Sequence, residues 1–330
     1  MESNSSSVLE MRDRQAIRQA YGQAQESWLL APLPAAGVVH VAGPDRLDFL
    51  SRLSTQNLEQ QAPGTWRVTL LLSPIGRLVD RLTVLAEPER LLLLTSPGRA
   101  EAARQWLVGY LFFQDEVAVA SEPADRRQWA LLGPQSDGLV ASWDPALARL
   151  PPGNLAQLDT GYLWRLQVPA GGWQLLGAGP WESHMPHRQA QAAAWAAWQA
   201  LRIEAGLPDP VQELQENLTP LELGLRPAIA FDKGCYIGQE VIARMDSRGQ
   251  APRHLWQLRL DGPAEAGAHL QQGEKTVGRV TSAAWSPDNG WVALGLIERR
   301  AGGNGQPTGL SLADGTTVTA VRTAGEPDPG

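Results

Sequence analysis

The sequence predicts an α+β body reaching to about residue 248, followed by a small all-β barrel. Three observations carry this. A strand-helix-strand-strand-helix-strand texture occurs twice before residue 248, so the body (10–248) reads as two similar halves, about 30–120 and 121–248, although no short sequence repeat links them. The strongest helical pattern, His187 to Ala205, is Ala-rich and closed by Gly206 and Pro208. After Gly249-Gln250-Ala251-Pro252 the texture changes to short strands separated by Gly-rich turns, and residues 250–325 have the length of a small barrel.

Taken in order, residues 1–9 are polar and expected to form a flexible tail, and about 10–25 a polar helix. Gly37 to Ala42 is a short β-like run ending at Gly43-Pro44. Leu47, Leu50 and Leu53 then share one helical face. Trp66 to Leu72, Leu78 to Leu85 and Arg90 to Thr95 read as strands joined by turns at Ser73-Pro74-Ile75-Gly76 and Glu87-Pro88-Glu89, and Ala100 to Tyr110 as a helix. Val117 to Ala120 and Trp129 to Leu132 are strands, and Gly133-Pro134 starts a short helix. Tyr162 to Val168 and Trp173 to Leu176 form a hairpin across Ala170-Gly171-Gly172. Ile237, Val241 and Met245 recur at helical spacing, which places a helix start near Cys235 or Tyr236. In the barrel, His254 to Leu260, Lys275 to Ala284, Trp291 to Ile297 and Thr316 to Val321 are strands, and the last residues a tail.

Hydrophobic residues make up 43% of the 330 and charged residues 19%, so a large core can be buried and global disorder is excluded. The 28 basic residues against 35 acidic ones leave a net charge of −7, a poor basis for direct nucleic-acid binding. A single cysteine, Cys235, excludes an internal disulfide. The N-terminus lacks a basic and an apolar region, and the longest apolar runs are far too short to span a bilayer. A cytoplasmic protein without membrane contact is expected. The five histidines are scattered, so no metal site is expected, and neither a Gly-rich nucleotide fingerprint nor a Ser-His-Asp triad is supported.

Three segments bear on chemistry. The first is Lys233-Gly234-Cys235-Tyr236-Ile237-Gly238-Gln239-Glu240. It lies in a window, Phe231 to Met245, that gathers the only Cys, one of the two Lys, and one each of the scarce Phe, Tyr and Met. A thiol near a helix N-terminus and two residues from a lysine is placed to favour the thiolate; a buried inert thiol is the alternative. The second is Arg202 to Pro208. Glu204 falls in the last turn of a helix, where the dipole disfavours a carboxylate, so it needs a partner: Arg202, or a flat heterocycle offering two N–H groups. The third is Ser73 to Leu82, where Asp80 interrupts an alternating strand; solvated strand surface is its simpler explanation.

The Lys233–Glu240 string resembles the signature of the YgfZ-like proteins, folate-binding relatives of the glycine-cleavage T-protein (aminomethyltransferase). The likeness extends to Gly43 through Asn57, Ser73 to Leu82, Arg202 to Pro208 and Thr219 to Glu222. It implies an aminomethyltransferase-like cloverleaf of two related α+β units around a central folate site, plus the C-terminal barrel. By resemblance, Glu204 would contact the pterin, Asp80 would lie beside the reacting folate nitrogen, and Asn57, Tyr236 and Gln239 would belong to the folate site. Cys235 and Lys233 match the YgfZ branch. The implied function is a tetrahydrofolate-binding accessory protein in iron–sulfur cluster assembly or repair, with linked effects on tRNA modification, acting on iron–sulfur client proteins through Cys235. Asp80 keeps open a tetrahydrofolate-dependent aminomethyltransferase or demethylase, and a folate-gated interaction module without catalysis is a third reading.

Overall fold

One long strand organises the body. The computed structural model describes residues 2–166, 171–249, 251–302 and 305–325, with residues 2–11 described by their backbone alone. Helix α1 (Glu2–Glu26) leads into β1 (Leu29–Ala42), whose first half pairs with β6 (Arg126–Leu132) and whose second half pairs with β4 (Arg90–Thr95) and β5 (Ala118–Ser121). Helix α2 (Arg46–Leu53) follows, then β2 (Trp66–Leu72), β3 (Leu78–Ala86) and, after β4, α3 (Ala100–Val108). Beyond β6 come α4 (Ser136–Trp143), β7 (Leu155–Gln157), β8 (Gly161–Arg165), β9 (Gly172–Gly177) and α5 (Arg188–Ala205). The strands form one nine-stranded sheet in the order β2-β3-β4-β1-β6-β9-β8-β7, with β5 off this path on β1.

The repeated texture is visible as a repeated element order. Strand, eight-residue helix, three strands and helix occur as β1-α2-β2-β3-β4-α3 and again as β6-α4-β7-β8-β9-α5. Both opening strands end in Gly-Pro, with Gly43 at φ 112° and Gly133 at φ 104°. The first half of β1, which contains Pro32 and Pro34, is absent from the sequence expectation, where the strand begins at Gly37. The register shift between Leu33 and Ala36 takes up Pro34, as bulges do for proline, while Pro32 pairs in register with Trp129. Helix α1 begins at Glu2, within the segment expected as a tail; residues 2–9 contain neither Pro nor Gly to stop it. The end of the strand expected over Tyr162–Val168, Ala170 of its turn, Gln250 and the tail beyond 325 lie outside the described residues.

Helix α6 (Gln239–Arg248) separates the body from the C-terminal barrel. The barrel closes in the order β10 (Arg253–Leu260), β13 (Gly290–Glu298), β12 (Lys275–Ser286), β11 (His269–Gln272), β14 (Leu310–Ser311) and β15 (Thr317–Thr323), with β15 returning to β10. Strands β11 and β14 are four and two residues long, too short to show alternation. One core joins body and barrel: Leu70, Leu72, Leu78, Ile203, Tyr236 and Ile242 pack with Leu255, Leu294 and Leu296. Burial of this kind contributes about 1.5–3 kcal/mol per large side chain.

The turn at Ser73–Gly76 packs glycine to glycine against the start of α6. Gly238 is the N-cap of α6 at φ 81°, and a Cβ there would lie 2.7 Å from the Ser73 carbonyl oxygen and 3.1 Å from Gly76 Cα. Both the dihedral and the contact with backbone require glycine. Gly238→Ala is expected to lose about 2 kcal/mol of stability in urea unfolding, from left-handed strain plus overpacking.

Candidate functional site

A cavity of about 570 Å³ opens where the two halves of the sheet meet the loop after α5. Its first wall is Trp66, Val68, Arg81, Thr83 and Ser96 from β2, β3 and the end of β4. Its second is Gln128, Gln174 and the loop at Pro152–Asn154, and its third Trp198, Arg202 and Leu207–Pro210. Gln56 and Gln61, from the segment after α2, also line it, as do Leu33, Pro34 and Ala36 of β1. No described residue of the barrel is in the wall. Among the described residues the lining mixes apolar faces with carboxamides, and carries Arg67, Arg81 and Arg202 against a single acid, Asp209. Such a cavity is of the size and character that holds small organic ligands, about 300–1,000 Å³.

Arg202 anchors the third wall. Only 2% of it is exposed, and its guanidinium donates to Gln199 Oε1 at 2.6 and 2.9 Å, to Glu213 Oε2 at 3.2 Å, to Gln212 Oε1 at 3.2 Å and to the Leu207 carbonyl at 3.2 Å. Glu213, wholly buried, also accepts from the Asp209 backbone N–H at 2.7 Å. The loop that carries Leu207 to Asp209 is thereby tied to the helix end.

Glu204, expected at the pterin, is not in the cavity wall. Two residues along an α-helix turn about 200°, so with Arg202 facing the cavity Glu204 faces away from it. Its carboxylate accepts from Tyr21 Oη of α1 and from Asn289 Nδ2 of the β12–β13 turn, each at 2.8 Å. The partner demanded by a carboxylate at a helix C-terminus is therefore this pair of neutral donors, and the residue joins α1, α5 and the barrel. Arg202, read from sequence as the bland partner, is the member of that segment that reaches the cavity.

Asp80 sits behind the wall. It is 3% exposed, accepts from Ser96 Oγ at 2.6 Å, from the Ser96 N–H at 3.2 Å and from the Arg81 N–H at 2.8 Å, and does not itself line the cavity. Burial pushes its carboxyl above the usual range against these hydrogen bonds. Ser96, which precedes Pro97-Gly98 and carries no sequence signal, lines the cavity in its place. A similar shift holds one step along the chain at Asn57. That residue is exposed, with Oδ1 accepting from the Glu59 N–H, while Gln56 lines the cavity. Gln56 is fixed there because Thr55 is pinned between β2 and Ala228, and the Gln56 N–H donates to Thr69 Oγ1 at 2.9 Å. Gln128 and Gln174, also missed, bond to each other across β6 and β9 at 2.7 Å; carboxamides within buried strands were their available signal.

The Lys233–Glu240 segment does not line the cavity. Lys233 reaches the C-terminal end of α2, where its ammonium donates to the carbonyl oxygens of Ser51, Ser54 and Gln56, the latter two at 2.8 Å. A cation there meets carbonyls the helix leaves unpaired. Burial pushes the ammonium down to about 8, opposed by Glu59. Cys235 is exposed. The two influences expected to act on its thiol are engaged elsewhere: Lys233 is spent on three carbonyls, and α6 starts only at Gln239, four residues after Cys235. Tyr236 turns inward into the joint core, which pushes its phenol up to about 12, and lies 5.5 Å from the Lys233 ammonium. Gln239 is the first residue of α6, its N–H donating to the Tyr236 carbonyl. The structure thus brings Lys233 to Gln56, a cavity residue, but leaves Cys235, Tyr236 and Gln239 outside. Among the described residues no helix is long and apolar enough to cross a membrane.

Comparison with known proteins agrees with this architecture. Residues 12–233 match the GCVT N-terminal domain, and residues 253–327 match the glycine cleavage T-protein C-terminal barrel domain. A chloroplastic protein of Arabidopsis thaliana with a provisional transferase name is 30% identical over 287 residues, covering 80% of this chain; the chain spans 64% of that relative's length. The aminomethyltransferase of Corynebacterium aurimucosum is 28% identical, covering 89% of this chain and 83% of the relative. Among solved structures, the glycine cleavage system aminomethyltransferase T from Bartonella henselae superposes with a TM-score of 0.77 at 20% identity, covering 95% of this chain and 89% of that one. With both domain profiles matched in order along one chain, the protein belongs to the glycine-cleavage T-protein family.

Proposed function

We propose that this chain is a tetrahydrofolate-binding accessory protein of the YgfZ-like branch. It serves iron–sulfur client proteins in cluster assembly or repair, with linked effects on tRNA modification, and Cys235 is its reactive group. The observation that carries the reading is a thiol held at the surface, outside the cavity, on a segment whose lysine grips the backbone of a cavity residue. A client protein can reach such a thiol while the cavity is occupied.

The cavity fits a reduced folate. Among the described residues Gln61 Oε1 and the Trp66 indole N–H have no hydrogen-bond partner, an acceptor and a donor on two residues of the wall. Arg67 and Arg81 suit an anionic glutamyl tail, and Trp66 and Trp198 suit a flat ring. Bound there, tetrahydrofolate would supply one-carbon chemistry at its reduced ring nitrogens. Gln56 orients the ligand, Arg202 holds the Leu207–Asp209 loop of the wall in place, and Ser96 meets the ligand backed by Asp80.

Calorimetric titration with 5-formyl-tetrahydrofolate tests this. The wild type is expected to bind in the micromolar range, and Cys235→Ala to bind within about twofold of it. In cells deleted for the protein, Cys235→Ala is expected to fail to restore the activity of an iron–sulfur enzyme. Full restoration by that variant, or no folate binding by the wild type, would refute the proposal.

A second reading, a tetrahydrofolate-dependent aminomethyltransferase or demethylase, is favoured by the names of the bacterial relatives and by the presence of Asp80. Methylene-tetrahydrofolate formed from an amine donor, and lost in Asp80→Asn, would establish it.

A further inference from the structure

We infer that Ser96 presents a hydrogen-bond acceptor to the cavity, so that the ligand must meet it with an N–H or O–H group, and that Asp80 is a positioning residue acting through Ser96. The inference rests on the folate reading above and deepens it by stating the polarity of one contact.

A serine hydroxyl has one proton and two lone pairs. The Ser96 proton lies on Asp80 Oδ1 at 2.6 Å, and the Ser96 N–H reaches Asp80 Oδ2 at 3.2 Å. The Arg81 N–H, 2.8 Å from Oδ1, holds the same carboxylate. An ionised carboxylate only accepts, so while Asp80 is charged the hydroxyl proton is committed to it. What Ser96 Oγ has left for the cavity is lone pairs. Since Ser96 is in the wall and Asp80 is not, the ligand reads the carboxylate only through the hydroxyl. A carbonyl or a fully substituted nitrogen at this point would set lone pair against lone pair; the secondary amines of a reduced pteridine would not.

Protonation of Asp80 reverses the pattern. A neutral carboxyl donates to Ser96 Oγ, and the serine proton is free to turn outward as a donor. Burial favours that neutral form, while the guanidinium of Arg99, itself held by Glu216 at 2.6 Å, opposes it. Arg81, on the same strand as Asp80, adds positive charge on the cavity side.

The test is calorimetric titration with tetrahydrofolate, whose reduced ring nitrogens both carry hydrogen, of the wild type, Ser96→Ala and Asp80→Asn, between about pH 8 and about pH 5.5, with melting temperatures alongside. At the upper pH Ser96→Ala is expected to bind on the order of tenfold more weakly, the cost of one hydrogen bond. Wild-type affinity is expected to fall as pH falls, and both variants to lose that slope. Wild-type affinity and slope in Ser96→Ala, or a slope that persists in Asp80→Asn, would overturn the inference while leaving the folate reading intact. Weaker binding with the slope unchanged would mean a merely structural serine and would also overturn it. Absence of binding by the wild type is a distinct result, which removes the folate reading and this inference together.

Discussion

Arg202→Met is expected to be about 3–5 kcal/mol less stable than the wild type in urea unfolding, because it leaves the Glu213 carboxylate wholly buried without its cation. Removing one partner of a buried ion pair costs far more than the pair itself contributes, since the remaining charge keeps its desolvation penalty. The guanidinium here also satisfies Gln199, Gln212 and the Leu207 carbonyl, so four groups lose a donor together. A second substitution separates stability from binding. Arg202→Met with Glu213→Leu replaces the pair by apolar groups of similar size and is expected to recover the part of the loss due to the unpaired carboxylate, but not the part due to Gln199, Gln212 and the Leu207 carbonyl. Folate affinity is expected to stay low in the double variant, because the Leu207–Asp209 loop of the cavity wall is no longer tied. A double variant that regains both stability and affinity would show that Arg202 is only a structural residue.

Lys233→Met is expected to cost about 3 kcal/mol at neutral pH, from three backbone carbonyls at the end of α2 that lose one donor each. The same substitution has a pH signature. Burial disfavours the ammonium, so the folded chain releases this proton at about 8, whereas the ordinary value is 10.5. Between these two values the unfolded chain binds more protons, and stability rises with pH; below about 8 the penalty is complete and the dependence flat. The prediction is read in the difference between wild type and variant, where the titration of groups remote from Lys233 cancels. A difference that is flat from pH 8 to 10.5 would mean that Lys233 is solvated and does not hold α2.

Both predictions concern residues whose neighbourhood in the chain was visible but whose partners were not. The string around Cys235 stood out because a chain poor in Lys, Phe, Tyr and Met gathers them there. Its spacing placed Lys233 beside the thiol. In the fold, the backbone carries the lysine to α2, some 180 residues earlier, since three carbonyls at a helix end are a better site for an ammonium than one exposed thiol. In the segment at Arg202–Pro208 the residue singled out from the sequence, Glu204, is not in the cavity wall, while Arg202 is. Helical rotation decides which of Arg202 and Glu204 faces inward, and that depends on which side of α5 the sheet covers.

By itself the sequence determined the alternation of strands and helices in the body, the Gly-Pro helix starts, the strong helix before Gly206 and the change to a β-barrel after Pro252. These follow from local periodicity and turn chemistry, which act over a few residues. Tertiary structure alone decided that the two halves share β1 and that the cavity lies at their junction. It also decided that Gln56, Arg81 and Arg202, rather than Asn57, Asp80 and Glu204, line the cavity. The physical reason is that a one-residue step along a strand or loop, or two along a helix, reverses the direction of a side chain. Local sequence cannot choose between the two directions until distant elements pack on one of them.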